Sequence, residues 1–149
     1  MTDGKPDLED FKRKLERWNR ESPNKLRYYL GRAATEVVGH VQSQKLTGQV
    51  LKVDTGRLRR SVTSRVSLVG QGARAAVGTN VFYGRVHEFG ATIVPKKAKA
   101  LRFQVNGKWV TTQKVVIPKR PWLKPGIAEM LPKVVKVVGD GMLTELGKA

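Results

Sequence analysis

Three observations predict an α+β fold: a mainly antiparallel sheet with long hairpins, packed on a long N-terminal helix and followed by a C-terminal helix. Apolar residues recur at helical spacing near both ends of the chain. Between those ends, apolar and polar residues alternate in short runs. Tight-turn sequences join the runs, Gly70-Gln71-Gly72 and Asn106-Gly107. Terminal helices around hairpins, without strand–helix–strand alternation, make the α+β pattern. With 149 residues the chain is expected to form a single domain, 1–149, with a modest core.

At the start, Leu8, Phe11, Leu15 and Trp18 share one helical face, with Asp7 as N-cap and Glu9 and Asp10 at the positive end of the dipole. Residues 1–21 are read as this separate N-terminal helix, whose stripe either joins the core or serves as an assembly extension on a neighbouring subunit. Ser22-Pro23 is a restart, a cap followed by proline at the first helical position. Leu26, Tyr29, Leu30, Ala33, Ala34, Val37, Val38 and Val41 then form the main stripe, stopped near Gly48. Gly31 and Gly39 offer close packing against the sheet, and His40 beside the stripe reads as structural or solvated.

Asp54 or Thr55 is expected to cap a single helical turn, with Gly56 permitting tight entry and Leu58 and Val62 facing inward. Arg57, Arg59 and Arg60 point elsewhere and could grip phosphates or carboxylates, or form a solvated rim. Val62–Leu68 and Ala73–Gly78 alternate as a hairpin. Val81–Gly90, VFYGRVHEFG, is expected to be a short helical corner anchored by Tyr83, Val86 and Phe89, with Glu88 paired to Arg85 or Arg120. Beyond Lys96, Lys97 and Lys99, the Asn106-Gly107 turn predicts a hairpin pairing Val105 with Lys108, Phe103 with Val110 and Leu101 with Thr112. Trp109 falls on its other face with Arg102 and Gln104. This hairpin reads as an arm reaching a partner. Pro118 and Pro121 impose an extended crossing anchored by Trp122 and Leu123. Pro125 opens the last helix, with the stripe Ile127, Leu131, Val134, Val135, Val138, Met142 and Leu146. There Pro132 should kink the helix or mark its true start, and Gly139 and Gly141 should soften its end.

The net charge is +17, and residues 49–149 carry 19 basic against 5 acidic side chains. Such a surface points to an acidic partner, nucleic acid or protein, with solubility alone as the alternative. The polar, acidic start is not a secretory signal, and no apolar run approaches the ~20 residues of a membrane span. The expectation is a soluble protein without a membrane partner.

Chemistry is sparse. Without cysteine there is no disulfide, thiolate zinc site or thiol nucleophile. His87 and Glu88 are adjacent and cannot converge on one metal; three or four ligands are needed. No Gly-x-Ser-x-Gly elbow, P-loop or dinucleotide fingerprint is present. The expectation is no enzyme, no cofactor and no metal. A basic DNA-binding module is the alternative function, supported by charge and Trp109 alone.

Four segments in order, DTGRLRRSV at 54–62, VGTNVFYGRVHEFG at 77–90, VPKKAKALRF at 94–103 and IPKRPWLKPGI at 117–127, resemble the small head–tail joining and tail-completion proteins of long-tailed double-stranded-DNA phages. A neighbouring group is labelled virion morphogenesis protein. The similarity covers roughly 22–138, a family-like core, and the N-terminal helix is its least family-like part. The resemblance implies a structural virion protein, assembled in the host bacterial cytoplasm, that forms a homo-oligomeric ring at the neck between connector or stopper and tail-tube proteins. Thr55, Gly56, Leu58, Tyr83, His87, Glu88, Phe89, Gly90, Pro118, Arg120, Pro121 and Leu123 match its motif positions, with structural roles implied. Arg57, Arg59, Arg60, Lys96, Lys97, Lys99 and Trp109 are the expected partner contacts. The basic surface would face genomic DNA in the channel or acidic protein. Protein is favoured because a strongly basic lumen would retard DNA.

Overall fold

The break predicted at Ser22-Pro23 does not occur. In the computed structural model, which describes residues 8–148, one helix, α1, runs over Leu8–Gln44 with buried Pro23 inside it. Proline removes the amide that would bond the Asn19 carbonyl. The Ser22 hydroxyl donates to that carbonyl instead, at 3.4 Å. Residues 8–21 are therefore not a separate helix but the start of α1, and the predicted cap Asp7 lies outside the described residues. At about 1.5 Å per residue α1 is roughly 55 Å long. Its second half buries Ala33, Ala34, Val37 and Val41 as the stripe predicts, whereas Leu8, Phe11 and Leu15 are exposed.

α1 ends at Gln44, before Gly48, and residues 45–56 form turns and bends. A single turn, α2 (Arg57–Ser61), follows, then the hairpin β1 (Thr63–Val69) and β2 (Gly72–Gly78), in register from Thr63↔Gly78 to Val69↔Gly72. Ser64, Val66, Ala75 and Val77 line the half-buried face, and β1 and β2 both pack on α1. Next come α3 (Phe82–Phe89), β3 (Ala91–Ile93), β4 (Leu101–Val105), β5 (Lys108–Thr112) and β6 (Val115–Ile117). The Asn106-Gly107 turn has positive φ at both residues, and the register Val105↔Lys108, Phe103↔Val110, Leu101↔Thr112 is the predicted one.

The strands are antiparallel throughout, but they form three two-stranded ribbons, β1-β2, β3-β6 and β4-β5. Pro95, which has no amide to donate, follows β3, and residues 96–100 have no regular structure. β3-β6 clamps the base of the β4-β5 arm, with Ala91 opposite Ile117. The arm itself buries no residue.

The last helix, α4 (Leu123–Gly147), lies antiparallel to α1: Gly126 faces Val41 and Gly141 faces the Tyr29 ring. Three details differ from expectation. Of the two effects expected of Pro132, it does not mark the start of the helix; both it and Ala128, whose carbonyl it frees, are exposed, so water can take that carbonyl. Gly141 does not soften the end but admits Tyr29, since a Cβ there would stand 2.3 Å from Cδ1. The buried face is Gly126, Met130 and Gly141, leaving Leu131, Val135 and Leu146 of the predicted stripe exposed. Gly31 and Gly39 do not give the expected tight contact with the sheet: a Cβ would come only within 3.9 Å of Val66 at Gly31, and meet nothing within 4 Å at Gly39. The core gathers Val37 and Val41 of α1, Leu46, Leu51, Leu58, Val62, Val81, Trp122 and Met130.

Candidate functional site

The motif segments, distant in sequence, meet at one junction where α3, the 118–122 crossing and the start of α4 join. Glu88 is its centre. The residue is 6% exposed, and its carboxylate accepts three backbone amides: Trp122 at 2.7 Å and Leu123 at 2.8 Å on Oε2, and Lys124 at 3.0 Å on Oε1. The first amides of a helix have no partner within it, and the helix N-terminus favours negative charge. Trp122 supplies no side-chain cap. Glu88 thus caps α4 from 35 residues away in sequence (Leu123 to Glu88). The expected pairing with Arg85 or Arg120 is not formed: backbone donors occupy both oxygens, and Arg85 and Arg120 are exposed.

The other contacts lock the same corner. Trp122, 1% exposed, donates its indole N–H to the Gly84 carbonyl at 2.9 Å. Arg120 donates its backbone N–H to the His87 carbonyl at 2.8 Å. Pro118 and Pro121, on either side of Arg120, have no amide to satisfy. Gly84 lies so close that a Cβ would stand 2.6 Å from Leu58 Cδ1 and 3.3 Å from the Trp122 ring. Gly90 has φ 73, and a Cβ there would meet the Ile117 carbonyl at 3.1 Å, so both conformation and space require glycine. Leu123 packs on the core.

The inward face of α3 is therefore Val81, Gly84 and Glu88. The predicted anchors fare less well: Val86 is half-buried, Tyr83 is exposed and Phe89 is 69% exposed. Two positions went unread in sequence. The Thr79 hydroxyl accepts the Val81 amide at 3.0 Å and pairs with the Ser61 hydroxyl, fixing the start of α3. Gln42 of α1 donates to the Arg59 and Val62 carbonyls, tying down α2. Thr79 stands two residues before the N-cap Val81, outside the cap position that sequence rules read, and a mid-helix glutamine carries no signal either.

A groove of about 730 Å³ lies beside the junction, between the 46–59 segment and Tyr83, His87 and Arg120. It brings the motif residues Thr55, Gly56 and Leu58 next to those of α3 and the crossing. Gly56 itself caps α2 with φ 70, and the Thr55 hydroxyl accepts the Arg57 amide at 3.3 Å, whereas Asp54 makes no cap. Arg57 and Arg59 reach the groove rim, and Arg60 lines the two smaller depressions nearby. Lys96, Lys97 and Lys99 are exposed on the β3–β4 loop and line none of these three depressions. Trp109 is 60% exposed on the arm, with the Arg102 guanidinium 4.7 Å from its ring centre.

Among the described residues no group of three or more His, Cys, Asp or Glu could hold a metal ion. Glu88 is wholly engaged by amides, so the His87-Glu88 pair serves the junction, each through a different group.

The profile of the phage virion morphogenesis family matches residues 27–146. The chain belongs to that family. It is a structural virion and assembly protein. The matched span contains the whole junction and the arm, and begins after the first turns of α1. No curated protein and no solved structure matches the chain. No helix among the described residues is long and apolar enough to cross a membrane.

Proposed function

We propose that this morphogenesis protein is a head–tail junction subunit of a long-tailed double-stranded-DNA phage, forming a homo-oligomeric ring that joins the connector side to the tail tube. One observation carries the reading: among the described residues, at least three separate apolar surfaces stay exposed. The first is the Leu8, Phe11 and Leu15 stripe of α1. The second is the Leu131, Val135 and Leu146 stripe of α4. The third is the β4-β5 arm with Trp109. Exposed apolar groups repeated at element spacing mark interaction surfaces. They differ in shape and sit on different elements, which suits a heterologous contact, the kind that forms a ring when its rotation closes. The arm also offers unpaired strand edges for addition to a neighbouring ribbon. Connector, stopper and tail-tube proteins would meet the two faces of the ring.

Imaging of intact particles tests this. Expected is a ring of this chain between head and tail, with deletion of its gene giving separate heads and tails. Normally joined particles without the chain would refute the reading. Glu88 and its junction act here by fixing the arm base and α4 relative to each other, with no chemical step.

A further inference from the structure

We infer that α2 and the outer face of the β1-β2 hairpin bind the phosphate backbone of duplex DNA. Arg57, Arg60 and Arg65 line one open depression of about 540 Å³ together with Ser61, Thr63 and Asn80. Arg57 and Arg60 are three residues apart on α2, so they project from one side of the turn. Arg65 stands on the solvent face of β1. Arg74 extends the strip: it pairs with Ser67 across the ribbon, and Arg65 with Ala76, so the two arginines are diagonal neighbours on one face. All four arginines are exposed. None of them forms an ion pair with a carboxylate among the described residues.

The rest of this face decides between partners. Between the arginines stand Thr63, Ser67 and Ala76, with no aromatic or large aliphatic side chain until Val69 at the tip. A protein interface needs buried apolar or aromatic anchors at its centre, and apart from Leu68 and Val69 the large exposed apolar side chains of this molecule belong to other elements, among them α1, α3, α4 and the arm. A strip of guanidinium forks, hydroxyls and one amide instead has the donor set that holds phosphate oxygens. It has nothing shaped for base edges, so binding is independent of sequence. Phosphate contacts of this kind let a protein slide along DNA, which removes the objection that a basic lumen must hold a passing duplex. A ring is not required for this contact, and a monomer should show it.

The test is fluorescence anisotropy of the full chain with a short labelled duplex, between about 50 and 200 mM salt. R57Q/R60Q/R65Q/R74Q should reduce the slope of log affinity against log salt by about 3 to 4, each neutralised phosphate contributing about 0.9. R57Q/R60Q and R65Q/R74Q should each remove about half of that, and K96Q/K97Q/K99Q should change it by less than about one. Thermal unfolding of each variant verifies its fold, and if the fourfold variant fails to fold the two double variants decide. Equal losses from the lysine and arginine sets would overturn the inference in favour of diffuse charge. Loss of self-association or of polyglutamate binding with DNA binding intact would overturn it in favour of a protein partner.

Discussion

A buried carboxylate in so cationic a chain invites an ion-pair reading, and Glu88 instead spends both oxygens on amides at the start of α4. The exchange Glu88→Gln keeps one acceptor oxygen but turns an NH2 group toward an amide donor. Loss of charge-assisted bonds and one unsatisfied donor should cost about 1–3 kcal/mol, read as a lower urea midpoint with an unchanged slope. A wild-type midpoint would show that the cap is dispensable. Gly84→Ala should also destabilise, by about 1–3 kcal/mol, because the new methyl lies within 2.6 Å of Leu58; thermal unfolding measures it, and trimming Leu58 to Val in the same chain should recover part of the loss. At this scale sequence reading located the right segment and misjudged its anchors. An α-helix of eight residues has too few positions for periodicity to choose a face. Inward-facing Gly84 and Glu88 look like a surface pattern, and the outward Phe89 looks like core.

Elements were more legible than their faces. Both hairpins, the register at Asn106-Gly107 and the long stripe of α1 follow from local rules, since turn geometry and alternation are set by neighbours in sequence. The α4 face does not. Apolar residues surround that helix, and the true contact side carries glycines, which weigh nothing in an apolar pattern although they let Val41 and Tyr29 approach. The α1–α4 seam also carries charge that makes a pH prediction. Glu129 is held below its ordinary 4.5 by hydrogen bonds from Lys45 and then His40, and Glu145 by the Tyr29 hydroxyl and then by Lys25. Folded-state values below the unfolded ones mean that this stability is complete above 4.5 and is lost as pH falls through the lower folded values. Tyr29, raised above 10.0 chiefly by Glu145, contributes fully below that value and loses its contribution as pH rises through the higher one. Unfolding midpoints should therefore be level from about pH 6 to 9 and fall at both ends. Glu129→Gln should flatten the acid limb; an unaltered limb would assign it to other carboxylates.

For the whole molecule, the fold class could be read from the order of helical and alternating runs, and the motif order pointed to phage virion proteins, with the matched family as the neighbouring group; an ordered set of turns and prolines survives without any knowledge of packing. What covers the exposed stripes could not be read, since the same spacing describes a core face and an interface. Replacing Leu101–Thr112 by a short Gly-Ser link should leave the unfolding midpoint of the monomer nearly unchanged, because the arm has no buried residue and contributes nothing to the core. It should abolish ring formation, scored by native mass spectrometry. Rings of normal size from the armless chain would move the contact to α1 and α4.

The clamp at the base of that arm has a practical side. Ala91 opposite Ile117 fixes where the excursion leaves and where it returns, and the cap on α4 is formed just beyond. Everything between is free to vary in length at little entropic penalty, since closing a loop twice as long costs only about 0.6 kcal/mol more. The Asn106-Gly107 tip is thus a splice point. A fluorophore-binding peptide or an affinity tag inserted there should be displayed on the outside of an intact monomer, giving a handle that reports from the arm without disturbing the corner it springs from.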